Sequence, residues 1–283
     1  MLVDFHTHST ASDGALSPGD LLARARAAGL GMLAITDHDT VAGHLDAAGE
    51  LSGCNGNPQL IPGVEYSCRW SGITIHVVGL GMDCHHTAMQ EALGVLDIAR
   101  RERGATIARR LEALGYPGAL EGAQAEAGES QLGRPHFSAW LVAQGHVRDH
   151  NEAFDKYLGQ GKRGDVKAFW PELHQVVRWI TAAGGVAVLA HPLKYRCTRM
   201  KLRRLAVAFR ESGGLALEII SGRQTPDQTA ALQRLARELG LEVSIGSDFH
   251  RDGPYSPQLG VELPRLEGLR GVWERWQAPS NLY

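Results

Sequence analysis

The sequence contains no apolar run near the roughly 18 uninterrupted residues that a membrane helix needs, so no membrane span is expected. It opens on a strand-like segment with neither the basic stretch nor the apolar core of a secretory signal, and a cytoplasmic protein is expected. Cysteine is scarce and dispersed. Cys54, Cys68, Cys84 and Cys197 form no C-x-x-C pair, which argues for reduced thiols and against a disulfide framework or a thiolate zinc site. Charge of one sign is not in excess: the net charge is −2, so nothing announces a duplex-DNA surface, although local basic patches stay open. No segment is of low complexity.

What is present is a globular composition, 43% hydrophobic and 21% charged over 283 residues, enough for one large α/β barrel or two ordinary domains. Thirteen histidines are many for such a chain, and their placement is informative. Residues 2–5 read as a strand running into His6-Thr7-His8; positions i and i+2 of a strand share a face, about 6–7 Å apart, so two imidazoles can converge on one ion. A helix capped by Ser17, with Pro18 at its first position, stops at Gly29. A buried strand over 31–36 ends in Asp37-His38-Asp39. A second helix runs from about Val41 to Leu51, followed by a turn over 53–58, and a strand over 59–64 delivers Glu65. Residues 72–75 deliver His76 and continue into 77–79. From 87 to 163 the pattern is helical without strand signals. Strands return over 184–190, 214–220 and 241–246, ending in His191-Pro192, Ser221-Gly222-Arg223 and Ser247-Asp248-Phe249-His250. The alternation predicts parallel strands with crossover helices. About seven strands suggest a barrel, regular or distorted, whose chemistry lies where strands end.

Those ends carry six histidines (His6, His8, His38, His76, His191, His250), and with them three carboxylates, Asp13, Glu65 and Asp248. Taken singly, each has a plainer explanation: His76 as a satisfied core histidine, Glu65 as a solvated acid, Asp248 as a helix cap. Taken together they supply enough ligands for two or three divalent ions with positions left for water and substrate. Mixed imidazole and carboxylate donors suit manganese, iron or zinc rather than magnesium or calcium. Paired ions of this kind serve phosphoryl transfer. His44, His85, His86, His146, His150 and His174, in helices or loops, are read as bland.

The motifs His6-x-His8, Asp13, Thr36-Asp37-His38-Asp39, Pro62-Gly63-Val64-Glu65, His76, Ala190-His191-Pro192 and Ser247-Asp248-Phe249-His250 resemble, in order, those of the PHP (polymerase and histidinol phosphatase) superfamily. The resemblance implies an α/β fold, a distorted (β/α)7 barrel made of residues 1–86 and 164–283, with 87–163 as a helical insertion or cap that contributes to substrate binding. It also implies two or three divalent ions, Mn²⁺ first, with Fe²⁺ or Zn²⁺ as alternatives. One ion takes His6, His8, Glu65 and Asp248; a second shares Glu65 with His76 and His191; a third uses Asp13, His38 and His250. Asp13 stands where many members have histidine, which adds negative charge at the third position. Glu65, Asp248, His250 and Asp37 are the expected catalytic residues, Asp37 by orienting a neighbouring imidazole. His136 and His250 are candidates for protonating the leaving group.

Gly133-Arg134-Pro135-His136-Phe137, residues 154–162 and Ser221-Gly222-Arg223 resemble the nucleoside 3',5'-bisphosphate phosphatases of that superfamily, with 5'-to-3' exoribonucleases on short RNA as relatives. The implied reaction is removal of the 3'-phosphate, by a hydroxide held between the ions, to give a 5'-mononucleotide and phosphate. Such a substrate needs a second anion site, for which Arg134, His136, Lys162, Ser221 and Arg223 are the expected residues. Lys194, Arg196 and Arg199 could also face the mouth, whereas Arg203 and Arg204 read as an exposed helix face. The expected partner is a small nucleotide or short RNA, not duplex DNA or a membrane. Alternatives are the exoribonuclease, a histidinol phosphatase, and a non-catalytic PHP module.

Overall fold

The computed structural model describes residues 1–51, 58–167, 169–195 and 197–277; Cys54 and Arg196 lie outside these. Strand β1 (Leu2–Asp4) is followed by α1 (Pro18–Ala27), β2 (Met32–Ala34), α2 (Ala42–Leu51) and β3 (Gln59–Ile61). The Ser17 hydroxyl accepts the Asp20 amide at 3.1 Å and Pro18 starts α1, as the sequence predicts. Next come the long strands β4 (Gly63–Trp70) and β5 (Ile73–Leu80). Then follow α3 (Thr87–Glu112), α4 (Ala119–Ala127), α5 (Arg134–Ala143) and α6 (His150–Ala153), the last running into a π-helical turn at Phe154–Leu158. The chain ends through α7 (Leu173–Ala182), β6 (Val186–Leu189), α8 (Arg199–Glu211), β7 (Ala216–Ser221), α9 (Pro226–Leu239), β8 (Glu242–Gly246) and β9 (Val261–Glu262).

Two sheets form, in the orders β3-β2-β1-β9 and β4-β5-β6-β7-β8. Backbone hydrogen bonds join them at both seams. Phe5, His8 and Asp248 amides bridge β1 and the end of β8, through Ile245, Phe249 and His6 carbonyls at 3.2, 2.9 and 2.8 Å. On the other side Glu65 exchanges bonds with Asp37 and Asp39 at 3.2 and 3.0 Å. Strands β3 and β4 are one path bent at Pro62, so seven strand positions enclose a distorted barrel. Gly63 sits where this path crosses β2; a Cβ there would lie 2.8 Å from the Ile35 carbonyl.

The expectation of uniformly parallel strands is corrected by β5, which runs antiparallel to both β4 and β6. The turn joining β4 and β5 is Ser71-Gly72, with φ of 47° and 75°, the pair of left-handed residues that a tight type I′ hairpin requires. Two consequences follow for the site. Glu65 is not the last residue of a strand but the third of β4, at a bridge to His38. His76 reaches the mouth from the middle of β5, because β5 enters from the mouth side and its carbonyl meets the Ala190 amide at the end of β6. Strand β9 also escaped the sequence pattern; at two residues, paired antiparallel to β1, it is too short to show alternation.

The main core is built from buried faces of β1 to β8, the inner faces of α7 to α9, and the first half of α3 (Met89, Ala92, Leu96, Ala99). The second half of α3 leaves that core. Ile107, Ala108 and Leu111 pack with Phe137, Trp140, Leu141 and Leu158 in a separate apolar cluster. At 26 residues α3 spans about 39 Å, long enough to serve both. Within 87–163 no strand occurs among the described residues. No helix among them is long and apolar enough to cross a membrane.

Candidate active site

At the barrel mouth Glu65 is buried at the centre of a ring of imidazoles. Its Oε1 lies 2.7 Å from both His76 Nδ1 and His191 Nε2; its Oε2 lies 3.0 Å from His38 Nδ1, 3.3 Å from His8 Nε2 and 3.4 Å from His6 Nε2. Asp248 Oδ1 is 3.4 Å from His8 Nε2 and 3.7 Å from His6 Nε2. Asp13 lies 3.4 Å from His250, 3.8 Å from His8 and 3.9 Å from His38. The structure thus brings together all nine residues marked as candidate ligands. They fall into overlapping groups of converging donors: His8/Asp13/His38/His250, His6/His8/Asp248, His6/Glu65/His191 and His38/Glu65/His76.

The donor set fits divalent ions. Among the described residues, His6 Nε2, His8 Nε2 and His38 Nδ1 are buried without a hydrogen-bond partner, each within 3.4 Å of a Glu65 oxygen. Buried polar atoms are seldom left so, and imidazole nitrogens facing carboxylates across 3–4 Å leave the place of a cation between them.

Electrostatics agree. Burial pushes the His6 imidazolium down, but Glu218, Glu65 and Asp248 outweigh that and hold its pKa well above the usual value. Burial likewise opposes the charged form of His8, yet Asp248 and Glu65 raise it to about 10. Burial dominates at His38 and His191, whose values fall. Burial opposes the charged forms of Glu65, Asp13 and Asp248, but the surrounding imidazoles, joined at Asp248 by the Lys194 ammonium, hold all three well below the ordinary carboxylate range. The cluster is a set of negative charges that demands positive ones.

The backbone is shaped to this end. Asp39, His191 and Asp248 all take positive φ (55°, 27° and 55°), unusual for residues with a Cβ and concentrated here at the strand ends. Gly246, two residues before Asp248, lets β8 pass against His6; a Cβ would lie 2.3 Å from the His6 Cβ.

Several supporting residues escaped the sequence reading. Glu218, buried within β7, accepts from His6 Nδ1 at 2.9 Å and from the His191 amide at 2.5 Å, fixing two candidate ligands at once. An acid inside an otherwise apolar strand was its available signal. The Tyr195 hydroxyl accepts the His76 amide at 3.0 Å and donates to the Ala190 carbonyl at 2.7 Å, tying β5 to β6. Asp4 accepts from Ser247 and Gly260 amides, both at 2.8 Å, and burial raises its pKa to about 6 despite these bonds. Asp37 does not orient an imidazole directly. It accepts from the Ser9 and Ser12 hydroxyls at 2.6 Å each, and Ser12 lies 3.4 Å from His8 Nδ1. Nor does it cap α2, which starts at Ala42.

The expected anion-binding residues separate. Arg134 and Lys162 line a cavity of about 450 Å³ together with Glu65, His76, His191 and Asp248. Arg100, Arg103 and Arg134 line an adjoining cavity of about 390 Å³ that also reaches Asp13, His38 and His250. Arg100 and Arg103, three apart on α3, point the same way, a spacing that could have flagged them. Arg100 is paired with buried Asp39 at 2.6 Å. Arg103 bonds only the Val166 carbonyl among the described residues, at 2.9 Å, and burial with Arg134 and Arg100 nearby depresses its pKa well below the usual value. His136 lines neither cavity; its Nδ1 accepts the Gly133 amide at 3.0 Å at the start of α5. Ser221 and Arg223 line a third cavity of about 220 Å³, on the other side of His191 and Lys194. Lys194 contacts Asp248 directly, while Arg199 is exposed at the start of α8 and Arg203 pairs with Glu238 on the surface.

Comparison with known proteins agrees with this geometry. Residues 4–106 match the PHP domain model. A 5'-3' exoribonuclease of Haemophilus influenzae is 42% identical over 96% of this chain and 98% of its own. A 3',5'-nucleoside bisphosphate phosphatase of Chromobacterium violaceum is 37% identical over 98% of this chain and 96% of its own. The solved structure of a Bifidobacterium adolescentis protein taken to be a metal-dependent phosphoesterase superposes with a TM-score of 0.76, at 28% identity, covering 90% of each chain. With the strand-end motifs in order and such identity over nearly its whole length, the chain belongs to the PHP family.

Proposed function

We propose that the protein is a metal-dependent phosphoesterase that removes the 3'-phosphate from nucleoside 3',5'-bisphosphates. The observation carrying this is the juxtaposition of the Glu65-centred donor cluster with Arg134 and Lys162 in one cavity. In the proposed assignment, His6, His8, Glu65 and Asp248 hold one ion, Glu65, His76 and His191 a second, and Asp13, His38 and His250 a third. When bound, the ions neutralise charge on the phosphoryl group and lower the pKa of water enough for it to attack near neutral pH.

The chain's own residues do the rest. Glu218 keeps a proton on His6 Nδ1, so that Nε2 faces the cluster as a free donor. Tyr195 and the Glu218–His191 bond fix the ends of β5 and β6, and with them His76 and His191. Arg134 and Lys162 hold the 5'-phosphate, with Arg100 and Arg103 adding positive potential behind it. His250, half-buried between Asp13 and Asp248, is placed to give a proton to the departing 3'-oxygen when it is not itself a ligand. Phosphatase and exoribonuclease break the same phosphorus–O3' bond, so one site serves both. The exoribonuclease is a second reading favoured by the cavity beyond His191 and Lys194.

The test is incubation of Mn²⁺-replete protein with adenosine 3',5'-bisphosphate and, separately, a 5'-phosphorylated RNA trinucleotide. Phosphate release from the first supports the proposal. Mononucleotides from the RNA at higher efficiency make the exoribonuclease the main activity, and inactivity on both with metal bound rejects the proposal.

A further inference from the structure

We propose that the cavity of Ser221, Arg223 and Gln228 binds the nucleotide downstream of the cleaved linkage, making it the feature that selects RNA over a bisphosphate. This rests on the phosphoesterase reading above. In a nucleoside bisphosphate the reacting phosphorus carries three terminal oxygens. In RNA one of them is esterified to the next nucleoside. Water attacks phosphorus, the bond to O3' breaks, and the proton lost by water is balanced by the one gained at O3'. The products are a 5'-mononucleotide and RNA that is one residue shorter and still 5'-phosphorylated. The downstream nucleoside therefore stays on the reacting phosphorus, and it needs room beside the donor cluster away from the site of the 5'-phosphate.

The cavity of about 390 Å³ that also reaches the cluster includes Arg134, the 5'-phosphate residue, whereas the cavity of Ser221 and Arg223 touches the cluster at His191 without it. Among the described residues, the cavity with Arg134 and Lys162 and the cavity with Ser221 and Arg223 share only His191 and Lys194, so these two residues form the ridge between them. The loop after β7 is fastened to the strand end that carries Asp248: the Gly222 amide donates to the Gly246 carbonyl at 3.2 Å. Its lining suits a ribose phosphate. Lys194 and Arg223 are cationic, and no acid lines it among the described residues. Arg223 spends one N–H on the Pro254 carbonyl at 3.1 Å, leaving the remaining guanidinium donors for an anion. The Ser221 hydroxyl is buried without a partner among the described residues. Pro192 and the partly exposed Leu193 give an apolar wall for a sugar or base. At about 220 Å³ the cavity is smaller than typical ligand pockets, matching part of a nucleotide with the rest of the chain in solvent. Gln228 Oε1 accepts the Thr225 amide at 2.8 Å, completing a capping box on α9.

The test compares wild type, Gln228→Glu and Arg223→Ala on adenosine 3',5'-bisphosphate and on a 5'-phosphorylated RNA trinucleotide. Gln228→Glu keeps the capping acceptor and adds a negative charge to the cavity. Its KM for the RNA is expected to rise about fivefold, with kcat/KM for the bisphosphate within twofold of wild type. Arg223→Ala, which removes a charge-assisted donor, is expected to lower kcat/KM for the RNA at least tenfold and more than for the bisphosphate. Equal losses on both substrates, or unchanged RNA kinetics in both variants, would overturn the inference. Wild-type protein inactive on both substrates would instead reject the underlying phosphoesterase reading.

Discussion

Replacing Glu218 by Gln tests whether the cluster depends on a residue that holds two ligands rather than binding metal itself. The two oxygens have separate tasks, Oε1 toward His6 Nδ1 and Oε2 toward the His191 amide. An amide has one acceptor and one donor group, so in Glu218→Gln one of these partners must face an NH₂. The His191 amide cannot change its role. The His6 ring can shift its proton to Nε2, which would cap the nitrogen that faces Glu65 and Asp248 and remove it as a ligand. Losing such an outer partner typically costs 10–100-fold in metal affinity, about 1.4–2.8 kcal/mol. Calorimetric titration of metal-stripped protein with Mn²⁺ should show that drop, with far-UV circular dichroism unchanged and activity partly recovered at high Mn²⁺. Wild-type affinity in the variant would refute the reasoning.

Arg100→Met should destabilise the fold by about 3–5 kcal/mol, since it leaves the buried Asp39 carboxylate unpaired; a shift below 1 kcal/mol in urea unfolding would contradict this. Gly246→Ala should lower metal affinity although it replaces no ligand, because its methyl would press on His6 from 2.3 Å; unchanged metal binding would show that β8 can move aside. Metal binding should release protons. His8, with a pKa raised to about 10, is protonated in the metal-free protein at pH 8 and must become neutral to bind, so apparent affinity rises with pH. Titration at pH 8 in buffers of different ionisation enthalpy reads that release directly, and identical heats in all buffers would refute it.

The sequence disclosed the cluster because strand ends are punctuated by glycine and apolar runs, and chemistry-bearing residues follow at once, as with His6-Thr7-His8 and Ser247-Asp248. It disclosed less wherever geometry is set by non-local pairing. The reversal of β5 turns on Ser71-Gly72, a two-residue turn between runs that also read as separate strands. Taken singly His76 read as a core histidine, and only the set of strand-end residues named it as a ligand; the reversed strand is what brings it to the mouth from the middle of β5. Glu218 was hidden inside β7 because an inward-facing acid there has no sequence partner closer than His191, and His6 is 212 residues away. Arg223 and Arg134 were grouped by the motif resemblance and their charge, neither of which fixes where they lie relative to each other. Only the ridge of His191 and Lys194 separates them, and that ridge forms when the ends of β6 and β7 meet.

The central claim is that the ions held around Glu65 are what make the protein a phosphoesterase. Its most direct test is phosphate release from adenosine 3',5'-bisphosphate by metal-stripped protein titrated with Mn²⁺, alongside metal content per chain. Stripped protein should be inactive and recover in step with bound metal, with both lost in His6→Ala and Asp248→Ala variants that remain folded. Full activity in stripped protein, or metal-dependent activity untouched by those substitutions, would contradict it.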